Sequence, residues 1–428
     1  MRRSVSAGLS AFAFLLLLGC SSDGGGPGPN AGGAAGSASG GSAGSGGSSG
    51  SGGSAGSGGS AGSGGSAGSG GTGADPNFTA DGCFKWTGQL PLQAAVEQHD
   101  CVEVQAGTYT LTQTVSVKPG HTLRGISATQ SILKASQSAW TFGCCDSMIA
   151  DTLPKTPEAN PFHVQKLTLD GAGVATYNIC CRGYVVENSV LENSRCSAIG
   201  AAGKGVTARN NQMLYSAQPT NVPGKGSVSC ATGGFGGVAE GAAIYSEAKA
   251  VNLGTVIDGN TIKYSFGPAM DINGAWGGVF KNNQVSDNTA WAAVSLYGAS
   301  NWLIQGNTIR HPATEPPQPY HPYCATGPNG GHSAGIFLCQ DTDTNNLVVN
   351  GNTITGNKTS SFYGILSVGA DEVKPYWAPR NNTFSNNDVS GSNVGCGDDF
   401  KPGQWLTDQN TWTGNNCAGS PNTGPSFF

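Results

Sequence analysis

Charge is what this chain has least of. Only 11% of its 428 residues are Asp, Glu, Lys or Arg, and 21 basic side chains face 26 acidic ones. With no basic excess and no basic stripe, nothing is present to release counterions from a phosphate backbone, so a nucleic-acid partner is excluded. No apolar run is long enough to span a bilayer. The run Ala11 to Leu18 falls far short of the ~20 residues that a membrane-crossing helix needs. Helical periodicity is missing from the body of the chain, and so is the dense leucine consensus that a leucine-rich repeat would require.

Glycine and cysteine are plentiful instead. Of 69 glycines, 25 lie between Ser21 and Asp75. That stretch is Gly, Ser and Ala with almost no charge, and repeats Ser-Ala-Gly-Ser-Gly-Gly from Gly41 to Gly71. It cannot bury apolar area and reads as a disordered tether, with a root-mean-square span of roughly 35–45 Å on the Gly-rich coil estimate. Before it, Arg2 and Arg3 precede the short apolar run, which ends Leu17-Leu18-Gly19-Cys20. This resembles the lipobox of bacterial lipoproteins, and implies cleavage before Cys20 and diacylglycerol on its sulfur. Ser21, rather than Asp, at the next position sorts such a protein toward the outer membrane. The expected organisation is therefore a signal peptide over 1–20, a linker over 21–75 and one domain over 76–428, lipid-anchored at the cell envelope and facing outward. Setting Cys20 aside leaves twelve of the thirteen cysteines, an even number in a chain bound for an oxidising compartment. Local spacing suggests Cys83 with Cys101, Cys324 with Cys339, and Cys396 with Cys417. The doublets Cys144-Cys145 and Cys180-Cys181 are open to disulfides or to a four-thiolate zinc site.

The domain carries an internal repeat of the form Asn-x-apolar, usually after Gly or Asn. It begins at Asn188, Asn211, Asn260, Asn283, Asn307, Asn352 and Asn382, at spacings of 23, 49, 23, 24, 45 and 30. The base period is about 23, the long gaps being one period plus loops. Short alternating strands at that period fit the coil of a parallel β-helix, an all-β solenoid. The Asn has a physical role, because at an inward corner its amide can bond the same amide one coil away, about 4.8 Å along the stack. Near the start, Val102-Glu103-Val104-Gln105-Ala106-Gly107-Thr108-Tyr109 leads to Val115-Ser116-Val117 and His121-Thr122-Leu123-Arg124-Gly125. This resembles the first coils of the pectin-lyase-like superfamily of right-handed parallel β-helices. The resemblance covers roughly Cys83 to Val389; it implies the fold and little about activity.

After each Asn corner comes a second strand, aligned as Ala243 to Glu247, Ala269 to Asn273, Ala293 to Tyr297 and Gly335 to Cys339. Alternation turns Ile244, Met270, Val294 and Ile336 inward. It leaves two outward ladders, Tyr245–Asp271–Ser295–Phe337 and Glu247–Asn273–Tyr297–Cys339. Long insertions, about 217–240 and 311–333, precede this strand three coils apart and would wall the ladders. Aromatic rings among carboxylates and amides suit a sugar, whose faces stack and whose hydroxyls bond. Tyr245, Asn273, Ser295, Tyr297 and Phe337 are the candidate substrate contacts.

Asp271 and Glu247 are the candidate catalytic carboxyl pair, about 8 Å apart at Cα on strand geometry, a separation open to retaining or inverting hydrolysis. A lyase needs a base and a group that neutralises a uronate. His311, His321, His332, Lys263 or Tyr297 are candidates for the first and Arg310 for the second. The polygalacturonase aspartate pairs, the Asp cluster that holds Ca2+ in pectate lyases and the alginate-epimerase signature are missing; Tyr264-Ser265-Phe266-Gly267-Pro268 only echoes the last. Asp170-Gly171 reads as a turn at a strand end. No cofactor or metal is called for. The expected role is that of a surface lipoprotein acting on an extracellular polysaccharide or cell-surface glycan, as a lyase or glycosidase. The alternatives are a non-catalytic glycan-binding module and a purely structural one.

The anchor gives a first prediction. Cys20→Ser removes the acylated sulfur, and the protein should move from the membrane to the soluble fraction; a variant that still sediments with membranes refutes the lipobox reading.

Overall fold

The computed structural model describes residues 75–140, 147–151, 160–180, 182–201, 205–216, 221–222, 226–227, 244–247, 252–265, 268–273, 275–288, 292–297, 299–310, 334–339, 351–361, 363–368, 380–399 and 410–417. The expected signal segment and nearly all of the expected tether lie outside these residues. So do His311, His321 and His332, the insertion 311–333 and most of 217–240.

The chain winds through three long parallel sheets, of 12, 9 and 10 strands, once per coil. One coil shows the plan: Asn252–Asp258 in the first sheet, Thr261–Lys263 in the second, Met270–Asn273 in the third. Each strand pairs in parallel with its equivalent one coil away, as Thr261 does with Gln284 and Ile262 with Val285. Period-2 alternation puts one apolar residue of each short second-sheet strand inside. Leu133, Leu169, Leu191, Met213, Ile262, Val285 and Ile309 form that inner row, all at most 2% exposed. First-sheet partners such as Ile257, Phe280, Ile304, Ile354 and Phe384 fill the same core. Gly278 is required by packing, since a Cβ there would sit 2.5 Å from the Trp302 ring, whose indole N–H donates to the Ala275 carbonyl.

Buried amides join the coils at the corner between the first and second sheets. Each Nδ2 donates to the Oδ1 of the next rung: Asn211 to Asn260 (3.0 Å), Asn260 to Asn283 (3.1 Å), Asn283 to Asn307 (3.0 Å) and Asn307 to Asn357 (2.9 Å). Asn387 and Asn415 complete the stack. The same Nδ2 reaches back to a carbonyl of the preceding coil, as Asn283 does to Ile257 (3.1 Å). One side chain thereby ties three coils.

Three of the seven expected rungs are corrected. Asn188 is not inside: Ser189 holds the rung position and its backbone N–H donates to Asn211 Oδ1. Asn352 and Asn382 belong to a second ladder, at the corner leading into the first sheet, which continues to Asn410. The confusion has a cause. At both corners the residue before the rung is Asn or Gly in the left-handed region, with φ between 52° and 68°. These are the residues that tolerate that conformation. Both corners therefore write the same Gly/Asn-Asn-x-apolar signature.

The ends are closed by other means. The helix Leu92–Gln98 lays Leu92, Ala95 and Val96 over the first coils. Disulfides Cys83–Cys101 and Cys396–Cys417 join adjacent coils near the two ends, as their spacing suggested; cross-links closing loops of this size contribute about 3 kcal/mol each. Cys180 and Cys196 are also disulfide-bonded, so Cys180 is no thiolate for zinc. Cys324 lies outside the described residues. Arg124 clamps the first turn, bonding both Asp81 oxygens (2.7 and 2.9 Å) and Glu103 (2.7 Å). The Arg124 hydrogen bond holds the Asp81 carboxyl well below the usual carboxylate range. This tie is therefore complete at neutral pH and is lost only as pH falls through that lowered value.

Asn283→Leu should cost about 1–3 kcal/mol in urea unfolding, because it strands amide groups of Asn260 and Asn307. Asn188→Gly, at a corner position that glycine tolerates, should stay within about 0.5 kcal/mol of the parent. Equal stability of the two variants would show that the amide stack carries no weight.

Candidate functional site

The third sheet carries the expected rows in the expected register. Tyr245 pairs with Asp271, Asp271 with Ser295 and Ser295 with Phe337, and the row runs on to Leu366. Glu247, Asn273, Tyr297 and Cys339 form the parallel row two residues further on. Glu247 and Asp271 thus sit one coil and two residues apart. Met270, Ile272, Val294, Leu296, Ile336 and Leu338 belong to the core cluster, while Asp271, Ser295, Phe337 and Leu366 do not. The row is therefore on the far face of the sheet.

That face is not an open floor, and here the structure corrects the sequence reading. Asp271 is 5% exposed, Ser295 0%, Phe337 2% and Leu366 3%. The third sheet is covered on both sides at this row, and alternation predicts only which way a side chain points, not what lies over it. The Ser295 hydroxyl has no hydrogen-bond partner among the described residues. Asp271 and Ser295 thus place a carboxyl group and a hydroxyl, both buried, on the non-core face of the sheet.

The insertions enter where expected. The second-sheet strand Gln212–Leu214 leads through the first insertion to Ile244–Glu247, and Thr308–Arg310 leads through the second to Ala334–Cys339. Both connect a second-sheet strand to a third-sheet strand, and the two third-sheet strands they lead to are three apart in the sheet. Within the first, Asn221–Val222 and Gly226–Ser227 pair antiparallel.

Lys263 and Arg310 stand on the second sheet, two coils apart. They share a second-sheet row, Lys134–Asp170–Glu192–Leu214–Lys263–Ser286–Arg310. At its start Asp170 binds Lys134 at 2.7 Å, accepts from Asn193 and receives the Ala172 N–H in the turn at the strand end. Burial first, and Asp170 second, raise the Glu192 carboxyl above its ordinary value. Among the described residues no three His, Cys, Asp or Glu side chains converge as a metal site.

Residues 234–424, which include the third-sheet strands just described, match the family model of the right handed beta helix region. That region is a right-handed parallel β-helix. The coils before it continue the same three sheets. No curated protein matches the chain in sequence. Among solved structures the β-helix is similar to ORF18 of Geobacillus virus E2, at 10% identity and a TM-score of 0.43, over 76% of this chain and 57% of that one. It therefore spans little more than half of the viral protein. It is also similar to the A-module of the mannuronan C-5 epimerase AlgE6 of Azotobacter vinelandii, at 12% identity and a TM-score of 0.38, over 76% of this chain and 93% of that one. A third is the catalytic domain of a GH87 alpha-1,3-glucanase in complex with tetrasaccharides, at 12% identity and a TM-score of 0.43, over 80% and 70% of the two chains. Likeness at this level concerns the fold and carries nothing about activity.

One feature of the β-helix escaped the sequence reading. Four residues after the rung positions Ser189, Asn211, Asn260 and Asn283, where the second sheet turns toward the third, stand Asn193, Tyr215, Tyr264 and Asp287, all left-handed with φ of 52–59°. Each backbone N–H donates to a carbonyl one coil on, Tyr215 to Lys263 and Tyr264 to Ser286. Asn and Asp suit this conformation; tyrosine does not. The two rings stack, with centroids 5.0 Å apart and planes at 13°, and remain 43% and 40% exposed. A left-handed L-residue costs roughly 1–2 kcal/mol, and one stacked pair contributes about 0.5–1.5 kcal/mol. The signal was present as a tyrosine four residues after Asn211 and again after Asn260. His311 stands four residues after Asn307 and lies outside the described residues.

Ser295→Ala removes a buried hydroxyl without a described partner, and should leave stability unchanged or raise it by about 1 kcal/mol. A fall in melting temperature of several degrees would mean that the hydroxyl is satisfied in the folded protein.

Proposed function

We propose that this is an exported protein that acts on an extracellular polysaccharide, with its site built on the third-sheet row of Asp271 and Asp271 as the central acid–base group. The observation that carries this reading is the registered row Tyr245–Asp271–Ser295 beside Glu247–Asn273–Tyr297. It lies in the coils bracketed by the two insertions. A carboxylate kept from water acts more strongly on developing charge than one in solvent, and a second carboxylate one coil away supplies the partner that glycosidic cleavage uses. Lys263 and Arg310 lie on another sheet. The reading therefore favours hydrolysis of a weakly charged glycan over elimination from a uronate, which needs a cation at the reacting sugar. The lipid anchor at Cys20 and the Gly/Ser tether would hold this surface outward from the envelope, at the outer membrane. The same rows without turnover would serve a glycan-binding module, a reading favoured by the missing enzyme-family signatures.

The test is turnover of a polysaccharide panel by purified full-length protein, read as new reducing ends for hydrolysis and as ultraviolet absorbance of an unsaturated product for elimination. Asp271→Asn should lower turnover by about 10²–10⁴ with little change in affinity. Binding without turnover would support the glycan-binding reading, and neither binding nor turnover would leave a structural protein.

A further inference from the structure

We propose that the corner between the second and third sheets binds a file of buried water molecules, one held between Ser194 and Ser216 and the next between Ser216 and Ser265. The inference stands apart from the reading of the third sheet and rests on buried groups that no sequence motif singled out.

The other two corners of the coil close with asparagine. This one does so in only one of four consecutive coils. Directly after the left-handed Asn193, Tyr215, Tyr264 and Asp287 stand Ser194, Ser216, Ser265 and Asn288. Backbone hydrogen bonds tie these turns coil to coil, from Asn193 to Leu214, Tyr215 to Lys263 and Tyr264 to Ser286, so the four residues form a row. None is more than 2% exposed. Asn288 works as the rungs at the other corners do: its Oδ1 accepts the Ser265 N–H at 2.9 Å. The serines do not span their steps. The hydroxyls of Ser194, Ser216 and Ser265 have no hydrogen-bond partner among the described residues.

Distance accounts for both facts. Equivalent positions repeat about 4.8 Å apart along the stack, and an asparagine amide crosses that step where a hydroxyl, one bond shorter, does not. Two oxygens at that spacing are too far apart to bond each other, yet one water about 2.8 Å from each joins them. Buried hydroxyls without partners are costly, and ordered water is what ordinarily satisfies them. Each water in this row has two hydroxyls, the fewest polar groups that hold a buried water, and Ser216 serves both. Later in the stack the same corner closes by direct contact. The Ser361 N–H donates to Ser392 Oγ at 3.2 Å, and the Ser361 hydroxyl donates to the Tyr363 carbonyl. The three earlier serines make no such contact among the described residues.

High-resolution diffraction from crystals of the full-length protein tests this. Ordered water should stand in both steps of the row, each molecule about 2.8 Å from two serine hydroxyls. Ser216→Ala removes the group that the two waters share, so both should lose density and the melting temperature should fall by about 2–4 °C. Hydroxyls that bond backbone carbonyls directly, with no water between them, overturn the file. Water that persists unchanged in Ser216→Ala overturns it as well. So does an alanine variant that melts at or above the parent temperature, because the hydroxyl would then be an orphan rather than a ligand. If Ser216→Ala does not fold, Ser194→Ala, at the end of the file, decides the same question: it should lose the first water and keep the second, and retention of both overturns the proposal.

Discussion

A primary amide that gives one hydrogen bond forward and one back is the element on which this molecule depends. Stacking β-coils leaves polar backbone groups at each inward corner, where no water can reach. Asn283, fully buried, meets that demand by joining Ile257 of one coil to Asn307 of another. Because each rung fixes its neighbours' height and rotation, the ladder also fixes register on all three sheets. The alignment of Tyr245, Asp271 and Ser295 is thus a consequence of amides on the opposite side of the coil. Where the stack runs out, the protein changes device: a short helix and an arginine clamp at one end, and a disulfide near each.

Two kinds of expense are visible above this scaffold, and they lie close together. One is burial of the Ser295 hydroxyl on the far face of the third sheet, without a described partner. The other is backbone strain at Tyr215 and Tyr264. A solenoid built only for stability would place apolar residues at the first and asparagine at the second, as it does in neighbouring coils.

The fold was legible because a β-helix writes its period directly into the chain. Asn211, Asn260, Asn283 and Asn307 gave the coil length, and Met270 beside Asp271 gave the facing of the third sheet. Ambiguity entered where two corners face the same physical demand. Asn352 and Asn357 both follow a left-handed glycine, and nothing local says which corner either one turns. Burial of Asp271 and Phe337 was not legible at all, since alternation within a strand knows nothing of what packs over it. The tyrosine stack was legible in principle, at a fixed offset from the rungs. It went unseen because tyrosine is not a residue expected to turn left-handed.

The stack has one more property, metrical rather than chemical. Every row of side chains repeats at the interval of the coil, about 4.8 Å, so the surface is a one-dimensional lattice with a fixed pitch. A polymer laid on it is read by commensurability as well as by contact: only monomers whose spacing keeps step with the coils meet the same groups twice. Inserting or deleting a whole coil would preserve that pitch and change only the length of chain the lattice can hold, whereas a change in corner geometry would detune it everywhere at once.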